Sequence, residues 1–228
     1  MVTRIAWLIF SRAKSKRFPK KCYQKIIGET ILERLVRKAI YSNIKKNDIF
    51  LCTSNDNSCD ELESIGIDIG INILRGDEEF PIKRIMSPEA INKLKNYKYI
   101  VRICGDSPLY SFNLAKKAAK FYQNNQNNIF CITNTRKRNF PGGLSLEIYN
   151  YKKLINLLNL YQELQNEEHM SNLINFSKEK IIDIYPKINL KNYFPNKLTI
   201  DEQKDLHYLT ALIKSNIEEK LEKVINKI

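Results

Sequence analysis

The amino-acid sequence predicts an α/β fold with a largely parallel sheet. Short runs rich in Ile, Val, Phe and Tyr recur through the first half of the chain, and the segments between them have the character of helices. Strand, helix and strand in repeated order is typical of a parallel sheet covered by helices. Since the 228 residues contain no glycine- or serine-rich linker and no internal repeat, we expect a single domain over residues 1–228.

The first half of the chain is expected to supply five strands. A helix is expected over residues 30–41, where Ile31, Leu35 and Ala39 fall on one side, and another over residues 114–123. The expected strands span residues 4–10, 48–53, 71–75, 99–104 and 128–133.

The second half departs from simple alternation, as in an α/β core that carries an inserted region. A strand is expected over residues 144–149, helices over 151–163 and 167–176, and a last short strand over 198–200. Asp201 is expected to cap a terminal helix, whose apolar residues keep helical spacing as far as Ile228. We expect that helix to pack on the core.

Cysteine usage and hydropathy indicate the compartment. The five cysteines are widely spaced and form no C-x-x-C pair of the kind that binds zinc or carries out redox chemistry, so we expect a cytoplasmic protein. The apolar run at the amino terminus is too short for a signal peptide, and no other segment reaches membrane-spanning length. We therefore expect no membrane partner.

The formal net charge of +13 does not identify a partner by itself. Nucleic acid, an anionic membrane surface and acidic small substrates are all attracted by a positive field. Solvated lysines on helix faces explain much of the charge equally well. The basic residues near the amino terminus need a separate explanation, because two arginines and several lysines cluster there with distinctive spacing.

That cluster, residues 11–21, is a cationic loop directly after the first expected strand, where open α/β sheets bind ligands. Arg12 and Arg17 offer forked donors to phosphate oxygens, and Lys21 offers a point charge. Ser15 and nearby backbone N–H groups can complete a cradle for a triphosphate. Taken without relatives, the pattern favours a solvated basic loop over a nucleotide site.

The loop also resembles a family motif. Residues 12–21 are similar to the R-x-G-S-x-R-L-P-x-K loop of the cytidylyltransferases that make CMP-activated acid sugars, specifically the spore coat polysaccharide biosynthesis protein F-like branch. Four further segments match in the same order: residues 74–79 resemble F-R-G-x-E-E, 102–109 R-I-T-G-D-x-P-L, 134–147 N-T-x-x-x-x-Y-P-x-G-L-D-x-E, and 199–206 x-x-D-T-P-E-D-L. Each motif alone is weak, but five in sequence are specific.

The resemblance implies a Rossmann-like, mostly parallel sheet of the nucleotide-diphospho-sugar transferase (GT-A-like) type. It implies transfer of CMP from CTP to a sugar acid or sugar-phosphate-like acceptor, with release of pyrophosphate, in surface glycan biosynthesis. The region at about 140–195 would be the acceptor side, and relatives of this kind are often homodimers. Mg²⁺ would be the cofactor, because it and cationic side chains stabilise charge on the phosphoryl oxygens and the departing pyrophosphate.

The resemblance also assigns the residues of the reaction. Arg12 and Lys21 would act in catalysis together with Asp106 and Asp201, and the two aspartates would be the magnesium ligands. Taken alone, Asp106 also fits a turn residue before Ser-Pro, and Asp201 fits a helix cap.

Substrate contacts are assigned in the same way. Arg75 and Arg102 would join the cationic loop in binding the nucleotide, with a surface ion pair as the alternative for each. Glu147 and His169 would face the acceptor. A histidine in a helix more often makes a structural hydrogen bond or faces solvent, so that alternative stays open for His169.

Three departures from the family motifs bear on these roles. Lys14 stands where the family has glycine, which affects how closely the backbone approaches phosphate. Ser145 replaces an aspartate, and residues 171–172 replace Thr-Pro, both where acceptor recognition is expected.

Two other classes of protein compete with this interpretation. A glycosyltransferase shares the architecture but often carries a D-x-D motif, which residues 56–58, 68–70, 77–79 and 183–185 all fail to match. A basic nucleic-acid-binding module predicts arginines and aromatics interleaved on one exposed surface, whereas the aromatics here lie mostly in apolar runs. We therefore expect CTP and a small acceptor as partners, and no nucleic acid.

Overall fold

A seven-stranded sheet forms the centre of the molecule in the computed structural model, which describes residues 4–124, 129–137, 139–186, 190–194 and 196–225. A short two-stranded ribbon lies apart from it. The strands are β1 (Ile5–Phe10), β2 (Lys25–Ile26), β3 (Glu29–Thr30), β4 (Ile49–Ser54), β5 (Asn72–Gly76), β6 (Tyr99–Cys104), β7 (Ile129–Thr133), β8 (Glu147–Asn150) and β9 (Lys180–Asp183).

The sheet is mostly parallel, as predicted. Its order is β5-β4-β1-β6-β8-β7-β9, and β8 alone runs antiparallel to its two neighbours among the described strands. β4 is buried along its whole length, which is expected of a strand covered by helices on both faces. The remaining pair, β2 and β3, forms the antiparallel ribbon directly before the first helix.

Helices cover both faces of the sheet. Alternate residues of β1 point to opposite faces: Trp7 and Ile9 join one apolar cluster, and Ala6 and Leu8 join the other. The helices are α1 (Ile31–Tyr41), α2 (Asp60–Ile69), α3 (Pro88–Leu94), α4 (Phe112–Asn124), α5 (Tyr151–Leu160), α6 (Gln203–Lys214) and α7 (Ile217–Ile225).

The predicted elements of the first half are present within one or two residues. α1 begins where expected because Thr30 and Glu33 form a capping box, in which the Thr30 hydroxyl accepts from Glu33 N at 3.2 Å and the Glu33 carboxylate accepts from Thr30 N at 2.6 Å. The predicted strand over 128–133 is β7, apart from residue 128, which lies outside the described residues.

The prediction for residues 198–200 is wrong, because they do not form a strand. Their backbone N–H groups bond to loops instead: Leu198 N donates to Gly142 O at 2.6 Å, and Ile200 N donates to Asp106 O at 2.9 Å. The prediction that Asp201 caps the next helix is also wrong. The helix cap is Glu202, and the Asp205 side chain accepts from Glu202 N at 2.9 Å.

Three helix predictions in the second half also need correction. The helix expected over 151–163 ends at Leu160, and the one expected over 167–176 is a 3₁₀ segment, Met170–Phe176. The expected terminal helix is two helices, α6 and α7, because Asn216 takes a left-handed φ of 57° that ends a helical run. Ile228 lies outside the described residues. The strand expected over 144–149 begins only at Glu147.

The five cysteines are free thiols, and four of them are buried. Burial raises the pKa of Cys22 and of Cys52 to about 12, so both stay protonated at neutral pH. Within the part of the chain that the structure describes, no helix has the length and apolar character needed to span a bilayer.

Candidate active site

The cationic loop predicted from the sequence lies at the carboxyl edge of the parallel strands. It follows β1, and Asp106 follows the neighbouring strand β6. The two strand ends approach closely because Gly105 has no side chain: Gly105 N donates to Phe10 O at 2.8 Å, and an added Cβ would lie 2.7 Å from that oxygen. The structure therefore brings Asp106 against the loop, as expected of a ligand site in an open α/β sheet.

The loop is closed on itself by its backbone. Lys20 N donates to Ala13 O at 3.1 Å, and the buried Ala13 is anchored through its own N–H, which lies 3.3 Å from the Cys59 sulfur. The Ser15 hydroxyl accepts from Phe18 N at 3.4 Å. From this backbone, Arg17 reaches Asp201 and Lys21 reaches Asp106.

Lys21, at the end of the loop, lies between the two predicted metal ligands. Its ammonium is 2.9 Å from Asp106 Oδ2 and 3.9 Å from Asp201 Oδ1, and it also donates to Ile200 O at 3.1 Å. The backbone hydrogen bond from Ile200 to Asp106 holds the two aspartate segments side by side. Two carboxylates that are far apart in sequence thus converge on one cation.

Asp201 is surrounded by further cations. Arg17 donates to its Oδ1 and Lys197 to its Oδ2, each at 2.8 Å, and Lys197 also lies 2.8 Å from Asp205 Oδ2. Burial opposes ionisation of Asp201, but the hydrogen bond from Lys197 and the charges of Lys197, Lys21 and Arg17 outweigh it and hold the pKa of this carboxyl below its ordinary value. The site therefore keeps Asp201 charged at neutral pH.

Arg12 lies on the other side of the loop, next to the turn that follows β5. It donates to Glu78 O at 2.5 Å and lies 3.6 Å from the Glu78 carboxylate. Arg84 is buried beneath this turn and donates to Asp77 O at 2.8 Å and to Glu78 O at 3.0 Å. Gly76 permits that packing, since a Cβ there would lie 2.8 Å from Arg84 Cα.

Arg75 is engaged by the protein itself. Its guanidinium donates to Ser54 O and Asp56 O, each at 2.9 Å, to Asp60 at 2.8 Å, and to Glu63. These bonds join β5 to the segment that follows β4 and to α2. To contact the nucleotide as predicted, Arg75 would have to exchange some of these hydrogen bonds for bonds to the nucleotide.

Arg102 and Glu147 face each other across the antiparallel pair of β6 and β8. The Arg102 guanidinium donates to Glu147 Oε1 at 2.9 Å, and the Tyr149 hydroxyl donates to Glu147 Oε2 at 2.6 Å. Glu147 is 2% exposed, so its carboxylate is bound to these partners and does not face solvent. The structure thus places the residue predicted to contact the acceptor inside the sheet, where it orients Arg102.

His169 is exposed and lies one residue before the 3₁₀ segment that starts at Met170. The Tyr149 hydroxyl lies 2.9 Å from Met170 O, which ties this segment to the Glu147 network. His169 is therefore next in sequence to a residue that contacts the Glu147 network, and among the described residues no hydrogen bond or ion pair joins it to the cationic loop.

The donor set at the carboxyl edge fits magnesium. The described residues contain no group of three or more His, Cys, Asp or Glu side chains that could hold a metal. Mg²⁺, however, usually takes only one or two carboxylates and completes its shell with water and substrate phosphate. Asp106 and Asp201 meet that requirement, because both already lie around a single cationic group, the Lys21 ammonium.

Three residues of this site were not anticipated from the sequence: Lys197, Asp205 and Arg84. The first two lie in the last family motif or directly next to it, and that position is the signal that could have found them. Arg84 carried no such signal, because its partners are backbone carbonyls brought to it by the fold.

An open, mostly parallel sheet with a cationic loop at its carboxyl edge is the arrangement of nucleotide-binding α/β proteins. Within that class the chain belongs to the cytidylyltransferase family, whose sequence profile matches residues 6–225.

Two relatives match nearly the full chain. An uncharacterised protein of Methanocaldococcus jannaschii is 29% identical over 213 residues, which is 92% of this chain and 84% of the relative. The spore coat polysaccharide biosynthesis protein SpsF of Bacillus subtilis is 24% identical over 216 residues, which is 91% of this chain and 85% of that protein.

Solved structures share the fold. A cytidylyltransferase from Leptospira borgpetersenii serovar Hardjo-bovis superposes with a TM-score of 0.82 at 23% identity, over 98% of this chain and 97% of that one. A CMP:2-keto-3-deoxy-manno-octonic acid synthetase complexed with CTP superposes with a TM-score of 0.61 at 14% identity, over 94% and 100%. These similarities confirm the Rossmann-like nucleotidyltransferase fold that the sequence predicted.

Proposed function

We propose that the protein transfers CMP from CTP to a sugar acid or sugar-phosphate-like acceptor and releases pyrophosphate. One observation carries the proposal: the last lysine of the cationic loop, Lys21, lies between Asp106 and Asp201 at the carboxyl edge of the sheet. The lysine that would bind phosphate and the carboxylates that would bind Mg²⁺ are thereby in contact with each other. Membership of the cytidylyltransferase family supports CTP as the nucleotide.

In this proposal the loop holds the triphosphate. Arg12 and Arg17 are more than a third exposed, and their guanidinium groups would exchange their present carboxylate partners for phosphate oxygens. Lys21 and the Ser15 hydroxyl would complete the cradle. Two further arginines would bind the nucleotide from the neighbouring strands. They are Arg75 and Arg102, and the buried Glu147 holds Arg102 in place.

Asp106 and Asp201 would hold Mg²⁺ next to the α-phosphate. When bound, the ion would stabilise negative charge on the phosphoryl oxygens. An acceptor oxygen forms the new bond to the α-phosphorus as the bond to the pyrophosphate oxygen breaks. Arg12 and Lys21 would neutralise the charge that develops on the departing pyrophosphate.

The acceptor would approach from the side of residues 140–195, near His169. A glycan acceptor is supported by one sequence relative, a spore coat polysaccharide biosynthesis protein, and by one structural neighbour, a CMP:2-keto-3-deoxy-manno-octonic acid synthetase. We therefore propose surface glycan biosynthesis as the setting of the reaction. The cytoplasmic location expected from the cysteines and the homodimer implied by the family resemblance stay predictions.

Nucleotide binding can be tested without knowing the acceptor. A ligand that binds only the folded protein stabilises it by roughly 3 kcal/mol at one hundred times its dissociation constant, which raises the melting temperature of a chain of this size by several degrees. We expect CTP with Mg²⁺ to give a larger shift than ATP, GTP or UTP at equal concentration. Equal shifts with all four nucleotides would contradict selection of cytidine.

A further inference from the structure

The Lys21 ammonium lies between Asp106 and Asp201 and contacts a carboxylate oxygen of each. It is 19% exposed, and its contacts of 2.9 and 3.9 Å reach one oxygen of each carboxylate. If these carboxylates hold Mg²⁺, as the proposed function requires, the ammonium and the metal ion compete for the same oxygens. The site cannot satisfy both at once in its present arrangement.

The charges around Lys21 are already balanced. The cluster around it consists of three carboxylates and three cations: Asp106, Asp201 and Asp205, and Arg17, Lys21 and Lys197. Each carboxylate contacts an ammonium or guanidinium group. A divalent cation that entered alone would add two positive charges to a partly buried cluster close to neutrality. The carboxylates would attract such an ion, but the Lys21 ammonium that lies between two of them would repel it.

A triphosphate changes this balance. It brings several negative charges to the loop. The charged groups of Lys21 and Arg17 can turn toward these charges, because both side chains are long and flexible and that of Arg17 is 67% exposed. Each side chain that turns to the phosphates frees a carboxylate oxygen of Asp106 or Asp201. Lys197 stays behind, since Asp205 holds it as well.

We propose that Lys21 holds the place of the divalent cation in the free protein and is exchanged for it when the triphosphate binds. Lys21 then has two successive partners, the carboxylates before nucleotide binding and the phosphates after it. The exchange makes the metal and the nucleotide bind together: the divalent cation binds weakly alone and enters with the triphosphate.

A titration of Mn²⁺ without nucleotide, followed by electron paramagnetic resonance, tests the exchange. We expect Lys21→Met to bind Mn²⁺ at least about tenfold more tightly than the parent, because the competing charge is gone. Lys16→Met removes the same charge from an exposed position of the same loop and should bind like the parent. Lys21→Arg keeps the charge and should also bind like the parent. A merely structural role for Lys21 would not raise metal affinity.

The same variants are then titrated with α,β-methylene CTP. Lys21→Met should bind the analogue more weakly than the parent in EDTA, and the analogue should increase the affinity of the parent for Mn²⁺. Because the first titration contains no nucleotide, its result does not depend on whether the protein selects CTP.

The exchange would be overturned if Lys21→Met bound Mn²⁺ no more tightly than Lys16→Met. It would equally be overturned if the parent bound Mn²⁺ as tightly without the nucleotide analogue as with it. That second comparison needs no variant, so it can still overturn the exchange if Lys21→Met fails to fold.

Discussion

Gly143 packs directly against the backbone of Leu198. Its φ of +94° is in the region that favours glycine, and an added Cβ would lie 2.4 Å from Leu198 O. Leu198 belongs to the segment that carries Asp201 to the carboxyl edge, and Leu198 N is in turn bonded to Gly142 O at 2.6 Å. The position of Asp201 therefore depends on a glycine far from it in sequence.

We expect Gly143→Ala to destabilise the protein by about 1–3 kcal/mol and to weaken metal-dependent CTP binding, because the new methyl group must push the segment at Leu198 away. Gly142→Ala is a matched control one residue earlier, where a Cβ would meet Lys197 Cβ at an ordinary 3.5 Å. Thermal denaturation and CTP titration compare the two. Equal behaviour of the two variants would show that Gly143 does not position the segment.

Arg17→Ala should weaken CTP binding about tenfold and leave the melting temperature nearly unchanged. The Arg17 side chain is largely exposed and its described partner is Asp201, so little packing is lost, whereas a charge-assisted bond to phosphate contributes about 1.5–3 kcal/mol. Isothermal titration with Lys16→Ala as the control separates this contact from the general charge of the loop. Identical affinities of the two variants would remove Arg17 from the triphosphate site.

Glu147→Gln should lower stability by about 3 kcal/mol. The change leaves the Arg102 guanidinium without its buried carboxylate partner, and removing one member of a buried pair is strongly destabilising. Urea denaturation measures the loss, with Glu168→Gln as an exposed control. Unchanged stability combined with a raised KM for the acceptor would instead show that Glu147 contacts the acceptor directly.

The ionisation of Asp201 should make the free energy of unfolding depend on pH in the acid range. Because its pKa is lowered by folding, its contribution to the free energy of unfolding is fully present above the unfolded value of about 3.9 and is lost as the pH falls through the lower folded value. The parent should therefore be more stable than Asp201→Asn at pH 7, and the difference should shrink below about pH 4. A difference that stays constant between pH 7 and pH 3 would contradict the ion pairs assigned to Asp201.

The sequence was sufficient to predict the parallel part of the sheet and the meeting of its loops. β1, β4 and β6 are short apolar runs bounded by polar residues. Because the carboxyl ends of parallel strands share one edge of the sheet, residues 11–21 after β1 were expected to lie close to Asp106 after β6. The edge strand β9 was not predicted. Its four residues are exposed or only partly buried, which leaves too weak an apolar pattern.

The details of the site depended on contacts that no local pattern encodes. The Glu147 carboxylate is buried because β8 pairs with β6 in the register that sets Glu147 opposite Arg102, and that register is fixed by tertiary packing. Residues 198–200 have the composition of a strand but bond to two loops, so propensity gave the wrong element there. The role of Lys197 appears only once Asp201 and Asp205 lie on either side of its ammonium.

Pyrophosphate release tests the metal-dependent transfer most directly. The parent is incubated with Mg²⁺, each of the four nucleoside triphosphates and a panel of acid sugars and sugar phosphates, beside Asp106→Asn and Asp201→Asn, which keep the side-chain shape but lose the charge that would hold Mg²⁺. The account predicts release by the parent from CTP with at least one acceptor, and loss of most turnover in each variant while CTP binding is better preserved. Release at the parental rate by the double Asn variant, or no release from CTP with any acceptor, would contradict it.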